Sequence, residues 1–356
     1  MTTSESIVVG SDWISEHYLS SGDKGTFGPE VRKRDRDWAA LEDEGHSTPK
    51  TRFTSGRTRL LQLLTRASES KATPAKNRAY RKYLEDIEEI LGYVPGRGIQ
   101  VERNGSILWV ARAGNTPSIA VLELVPADTV EDVVSRDGDT LLTPTNPEAE
   151  SYPQPYKESQ TEDGETFTNA ARLTSYLFLN DPKPAFILML AGKWAVLAER
   201  ERWPEGRFLA INLQVVAERN DTRVGREIST AMAALEVESL LPDHEGSAWW
   251  SRQLDESIKH TVGVSKDLRE GVRESIELLA TEVVERRKAQ GLPPLKQEDA
   301  QVLARQALRF LYRILFLLYA EASPELEVLP VGTPEYGRGY SLDRLRELVQ
   351  VPLADH

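Results

Sequence analysis

Apolar residues recur at helical spacing in two stretches of the first hundred residues. RFTSGRTRLLQLLTRA (52–67) reads as helix from Thr58 onward. A second helix is expected from about Pro74 to Leu91, where Tyr80, Tyr83, Leu84, Ile87, Ile90 and Leu91 share a face. Gly92 ends it, and PGRG (95–98) makes the next turn. The period then shortens. SILWVA (106–111) and SIAVLELV (118–125) flank a Gly-Asn-Thr-Pro turn, which predicts a hairpin. AFILMLAG and WAVLAER, turning at Gly192-Lys193, predict a second hairpin, and Phe208–Leu213 a further strand. Between the hairpins, residues 137–165 are rich in Pro, Thr, Glu and Ser and read as a long loop, with a helix near Thr168–Phe178 after it. From about Thr222 the pattern is helical, interrupted at LPDHEGS, GLPP and SPELEVLP. Residues 1–52 hold a short strand signal (Ile7, Val8, Val9), then WISEHYL, then a Gly- and charge-rich stretch. The expected class is α+β, without internal repeats: an N-terminal arm (1–52), an α/β domain (53–220) and an α-helical domain (221–356).

FLYRILFLLYA (310–320) is the most apolar run in the chain. A membrane span needs roughly 20 apolar residues, and this run is shorter and contains Arg313. The amino terminus, MTTSESIVVGSDW, has no basic start before an apolar block, so no secretory signal is expected, and the chain is placed in the cytoplasm, away from membranes. The run is expected to be the core of the helical domain, with more apolar surface than these 356 residues can cover.

The chain has 356 residues, 28% of them charged, a net charge of −12 and no cysteine. Disulfides, cysteine-ligated metals and thiol catalysis are therefore excluded. The charge is uneven: Lys24 to Lys82 hold 15 Lys/Arg against 7 Asp/Glu, and the remainder is strongly acidic. With a Debye length of about 8–10 Å, a local basic surface can meet phosphates on an acidic protein. Two clusters are candidates for double-stranded DNA: Arg32, Lys33, Arg34 and Arg36, and then Lys50, Arg52, Arg57 and Arg59 around Phe53. Both can equally be solvated charged faces. Arg305, Arg309 and Arg313, at i, i+4, i+8, read first as partners for acids at a domain interface.

The first predicted hairpin resembles the core of PD-(D/E)xK nucleases, which need an acid on one strand and Glu-x-Lys on the next to hold Mg²⁺ and assist water. Glu123 stands in LELV, but Val125 takes the lysine position and ILWVARAG has no Asp. A degenerate, structural version of that fold is expected, with Glu123 a vestigial residue. The alternative is an autonomous Mg²⁺-dependent nuclease using Glu123 with other acids such as Asp128. The five histidines, His17, His46, His244, His260 and His356, show no metal-pair spacing, and no phosphate-binding glycine loop is present. No catalytic or metal-binding residue is assigned. His260, among charged neighbours, reads first as a turn or helix-end histidine.

Four segments, taken in order, carry a wider resemblance: WISEHYL (13–19); AFILMLAGKWAVLAERERWPEGRFLAINL (185–213); LDESIKHTVGVSKDLREGVRESIELLATEVV (254–284); and FLYRILFLLYAEA (310–322) with YSLDRLREL (340–348). Together they resemble the N-terminal region of large DNA adenine methylases of phage-defence systems, notably the class 1 DISARM methylase, and type IIG restriction–modification enzymes. The resemblance implies a bacterial parent that transfers methyl groups from S-adenosylmethionine to adenine N6. It also implies other defence-system subunits as partners and a methyltransferase domain beyond the helical one. The FxGxG-type loop and the Asn/Asp-Pro-Pro-Tyr/Phe tetrapeptide of that chemistry are absent: Asn146-Pro147 and Pro293-Pro294 do not fit. The expectation is a non-catalytic module of such a methylase that contacts DNA or partner subunits and has no cofactor of its own. A protein-interaction subunit without DNA contact is a further alternative.

Overall fold

The apolar runs of the two predicted hairpins form the centre of a seven-stranded sheet. The computed structural model describes residues 6–20, 22, 24–68, 74–137, 156–157, 166–167, 169–324 and 327–342. The chain forms two compact units, Met1–Thr261 and Val262–His356.

In the first unit, β1 (Ile7–Gly10) is followed by α1 (Glu16–Ser20), α2 (Phe27–Asp43), α3 (Pro49–Ala67) and α4 (Pro74–Leu91). The meander β2 (Ile99–Asn104), β3 (Ile107–Arg112) and β4 (Ile119–Glu123) comes next, then α5 (Val130–Val134). A two-stranded ribbon, β5 (Tyr156–Lys157) and β6 (Thr166–Phe167), precedes α6 (Ala170–Leu179). Strands β7 (Phe186–Ala191), β8 (Trp194–Glu199) and β9 (Phe208–Asn212) complete the sheet. Then come α7 (Leu213–Arg219), α8 (Glu227–Leu235) and α9 (Val237–Leu240), and α10 (Trp249–Ala289) begins.

The sheet order is β1-β9-β8-β7-β4-β3-β2. Every neighbouring pair is antiparallel except β4 and β7, which run parallel and are joined through α6. Both faces are covered, so the central strands β4 and β7 are buried at every position. Ile119 and Val121 pack with Leu84, Ile87 and Leu91 of α4 in one core. Ala120 and Leu122 pack with Ala171, Leu173 and Leu177 of α6 in the other. Alternation along β4 thus points Glu123 to the α4 side.

Residues 1–52 were expected as an arm, and the described part of that stretch instead builds the first unit. Strand β1 closes one sheet edge against β9, and Trp13, Ile14 and Tyr18 are buried in the core. The Gly- and charge-rich stretch contains the 17-residue helix α2, whose buried face is Phe27, Val31, Asp35 and Trp38. One acid in that stripe hides its helical period. The boundary expected at 220/221 likewise falls inside this unit, because α8 and the start of α10 bury Ile228, Met232, Trp249 and Trp250 in the same core.

In the second unit, α11 (Gln297–Ala322) carries the FLYRILFLLYA run, with α12 (Pro334–Gly339) after it. Tyr336 Oη and the Leu342 amide both donate to Glu321 Oε1 at 2.8 Å. Of the described α11 residues only Ala307 and Ala320 are buried, while Phe310, Tyr312, Phe316 and Tyr319 are 53–64% exposed. The apolar surface of this helix does exceed what the described residues cover. No helix among the described residues is long and apolar enough to cross a membrane.

Candidate functional site

The site is built on α4. Tyr80, Tyr83, Leu84, Ile87 and Leu91 press this helix onto the sheet, and Arg81 and Glu88, seven residues apart, share a face of it. Two tyrosines fix its position. Tyr80 Oη accepts from the Gly192 amide at 2.9 Å and donates to the Leu124 carbonyl; Tyr83 Oη donates to the Gly192 carbonyl at 2.8 Å. Burial raises both phenols well above their ordinary range. Gly192 turns the β7–β8 hairpin with φ +66°, and a Cβ there would lie 2.8 Å from Pro126 Cβ, so only glycine fits.

Glu123, at the end of β4, is fully buried. Arg81 Nη1 donates to its Oε1 and Oε2 at 2.8 and 2.9 Å, and Arg103 Nη1 approaches Oε1 at 2.5 Å. Arg103 reaches it from β2, where it is opposite Leu108, itself opposite Val121. Arg103 Nη2 also donates to Glu88 Oε2 at 2.8 Å. Glu88 Oε1 is buried and meets no donor among the described residues. A proton on Glu88 would let the two carboxyls share a hydrogen bond. Burial, then that hydrogen bond and the repulsion of Glu123, push the Glu88 carboxyl up to about 9.

This fixes a sign for the pH dependence of stability. An acid whose pKa is raised by folding holds its proton in the folded state while the unfolded chain loses it. Stability is expected to fall as pH rises from about 4.3, the unfolded value, toward about 9. Urea unfolding midpoints of Glu88→Gln should show a flatter decline over that window; a decline as steep as wild type would place the raised acid elsewhere.

Both oxygens of Glu123 are engaged by guanidinium, so a hard cation would have to displace an arginine to bind there. Across the hairpin, the Glu123 amide donates to the Ser106 carbonyl at 2.8 Å, which puts serine opposite Glu123. Val125 is buried in the other core. Asp128 is exposed before α5, and no contact among the described residues ties it to Glu123. No group of three or more histidine, aspartate or glutamate side chains among the described residues is arranged to hold a metal. Of the residues that meet here, the sequence pointed to Glu123 alone. Glu88 was visible in principle, as a charge four residues beyond Leu84 in an apolar stripe, but Arg81 and Arg103 look like ordinary surface cations.

The two basic clusters divide. Arg34 pairs with the buried Glu236 and lies over the Trp249 ring at 5.3 Å. Lys50 pairs with buried Asp35 at 2.7 Å. Arg52 donates to the Ile90 carbonyl at 3.0 and 2.7 Å and to the Ser47 carbonyl at 2.9 Å, capping the end of α4. These three cations serve the fold. Arg59 pairs with Asp86 at 2.8 Å and remains 58% exposed. Arg32, Lys33 and Arg36 are exposed, Arg57 is half-buried, and these four make no ion pair among the described residues.

His260 faces His17 of α1, Nδ1 of His17 lying 2.8 Å from Nε2 of His260 with the rings stacked. Contact across 243 residues gives no sequence signal. For S-adenosylmethionine the described residues are a poor fit. A cradle of the doubly wound kind needs a glycine-rich turn leaving a parallel strand, whereas β4 leaves through Leu124, Val125 and Pro126. Asn146-Pro147 lies outside the described residues, and Pro293-Pro294 is exposed between α10 and α11. Comparison with family models, with curated proteins and with solved structures gives no match for this chain.

Proposed function

We propose that this chain is the non-catalytic N-terminal module of a phage-defence DNA adenine-N6 methyltransferase, built on a degenerate PD-(D/E)xK nuclease fold and contributing contacts to DNA and to partner subunits. The observation that carries the reading is the arginine clamp on Glu123. Helix α4 over the meander β2–β3–β4, returned through α6 to parallel β7, supports a nuclease-like core. Serine is opposite Glu123 and valine takes the lysine position of the sequence pattern, and two guanidiniums balance the charge of Glu123, which supports a degenerate version of that fold. The resemblance of residues 13–19, 185–213, 254–284 and 310–322 to the defence methylases supports the parentage. Methyl transfer from S-adenosylmethionine then belongs to another domain of the parent. The exposed aromatics of α11, in the segment resembling the helix that leads into the methyltransferase domain, are the surface that domain would cover.

The DNA role is tested by fluorescence anisotropy of a labelled duplex across a salt series. Wild type is expected to bind at low salt. Alanine at Arg32, Lys33 and Arg36 should weaken binding at least tenfold and flatten the salt slope, by about 0.9 for each phosphate no longer neutralised. Negligible low-salt binding, or binding unchanged in that variant, removes the DNA role. The parentage is tested in the coding sequence beyond His356: an Asn-Pro-Pro-Tyr-type motif upholds it, and a stop codon overturns it.

A further inference from the structure

The loop between α7 and α8 brings a second set of arginines beside the exposed face of α2. Gly225 sits under the Arg32 side chain with φ +67°, and a Cβ there would lie 2.3 Å from Arg32 Cγ. Asp35, one turn along α2, locks the same junction: its Oδ2 accepts from the Gly225 amide at 2.8 Å and the Ser229 hydroxyl at 2.7 Å. Arg32 therefore lies against the loop that carries Arg223 and Arg226, and Arg36 is one turn further along α2.

That loop edges an open cleft of about 680 Å³ with Arg219, Asn220, Asp221, Arg223, Arg226 and Glu227 in its lining. Asp221 and Glu227 are already engaged, with Arg223 at 2.6 Å and Arg219 at 3.1 Å. The Arg223 side chain stays 74% exposed despite its pair. The Arg226 side chain is exposed and makes no hydrogen bond or ion pair among the described residues, although its charge reaches Asp221. Asn220, held at φ +49°, has a buried Oδ1 with no partner among the described residues.

We infer that Arg223 and Arg226, with Arg219 behind them, continue the α2 cations into one phosphate-binding surface for the backbone of duplex DNA. This rests on the DNA-contact reading above and adds residues that no sequence cluster marked. Guanidinium forks suit phosphate oxygens, and a sequence-independent electrostatic contact is the kind such a surface makes.

The test is the duplex titration repeated with Arg223→Ala/Arg226→Ala and with the unpaired Arg226→Ala alone, thermal melting serving as the check on folding. The double variant should lower the salt slope by about 2, weaken low-salt binding at least tenfold and do so equally on unrelated duplexes; the single variant should lower the slope by about 1. Wild-type slope and affinity in both variants, while wild type binds, overturns this surface and leaves the α2 contact standing. Loss in these variants with none in the Arg32, Lys33 and Arg36 variant upholds the cleft and removes the α2 contact. No wild-type binding removes both. Pyrophosphate binding without duplex binding also overturns the inference, assigning the cleft to a small phosphate.

Discussion

Alanine at both Arg81 and Arg103 is expected to destabilise the protein by about 3–5 kcal/mol, the scale for leaving a buried charge without its partner. Glu123 has no exposed surface, and the two arginines are the cations that balance its carboxylate. If the loss comes from the stranded carboxylate, removing the carboxylate as well should restore most of it. Arg81→Ala/Arg103→Ala/Glu123→Leu should therefore be markedly more stable than the double variant, since a buried ion network replaced by apolar side chains is often neutral. All seven tryptophans precede Thr261, so fluorescence during urea unfolding reports this unit. Further loss in the triple variant would mean that Glu123 stabilises the fold by something other than its ion pairs.

Asp35→Ala is expected to cost a similar amount, about 3–5 kcal/mol, because three donors lose their acceptor at once. Lys50 Nζ lies 2.7 Å from Oδ1, and the Gly225 amide and Ser229 hydroxyl meet Oδ2. Burial alone would raise the Asp35 carboxyl. The hydrogen bonds from Lys50, Ser229 and Gly225, with the Lys50 charge, outweigh it and hold the group below its ordinary value. An acid depressed by folding stabilises above its unfolded pKa, about 3.9, and loses that contribution as pH falls through the lower folded value. Wild type should thus lose stability below about pH 4 more steeply than Asp35→Ala. Equal acid slopes would show that Asp35 is not the group responsible. Duplex affinity should fall with Asp35→Ala as well, since the same carboxylate ties the Gly225 loop to α2.

Legibility of the fold followed apolar content. Strands β3, β4, β7 and β8 are continuous apolar runs bounded by turn residues, and the sequence placed both hairpins within a residue or two. Edge strand β2, IQVERN, is mostly exposed and has no apolar run of its own, so only the turn before it is legible. Helix α2 was lost because Asp35 sits in its buried stripe, a position that makes sense only once Lys50, Gly225 and Ser229 arrive from elsewhere in the chain. The site behaves alike. Glu123 stood out as an acid ending an apolar strand, but its clamp comes from a helix 42 residues earlier and a strand two places away in the sheet. Charged residues with long-range partners carry no local period, so composition could count the cations of residues 24–82 without separating Arg34, Lys50 and Arg52, which hold the fold, from Arg32, Lys33 and Arg36, which face solvent.

The central claim is that Glu123 balances arginines and does not hold a catalytic metal. Its most direct test is incubation of the purified chain with supercoiled plasmid and Mg²⁺, alongside Glu123→Ala. The account predicts intact plasmid with both proteins. Mg²⁺-dependent cleavage by wild type that disappears in Glu123→Ala would contradict it and make the chain an active nuclease.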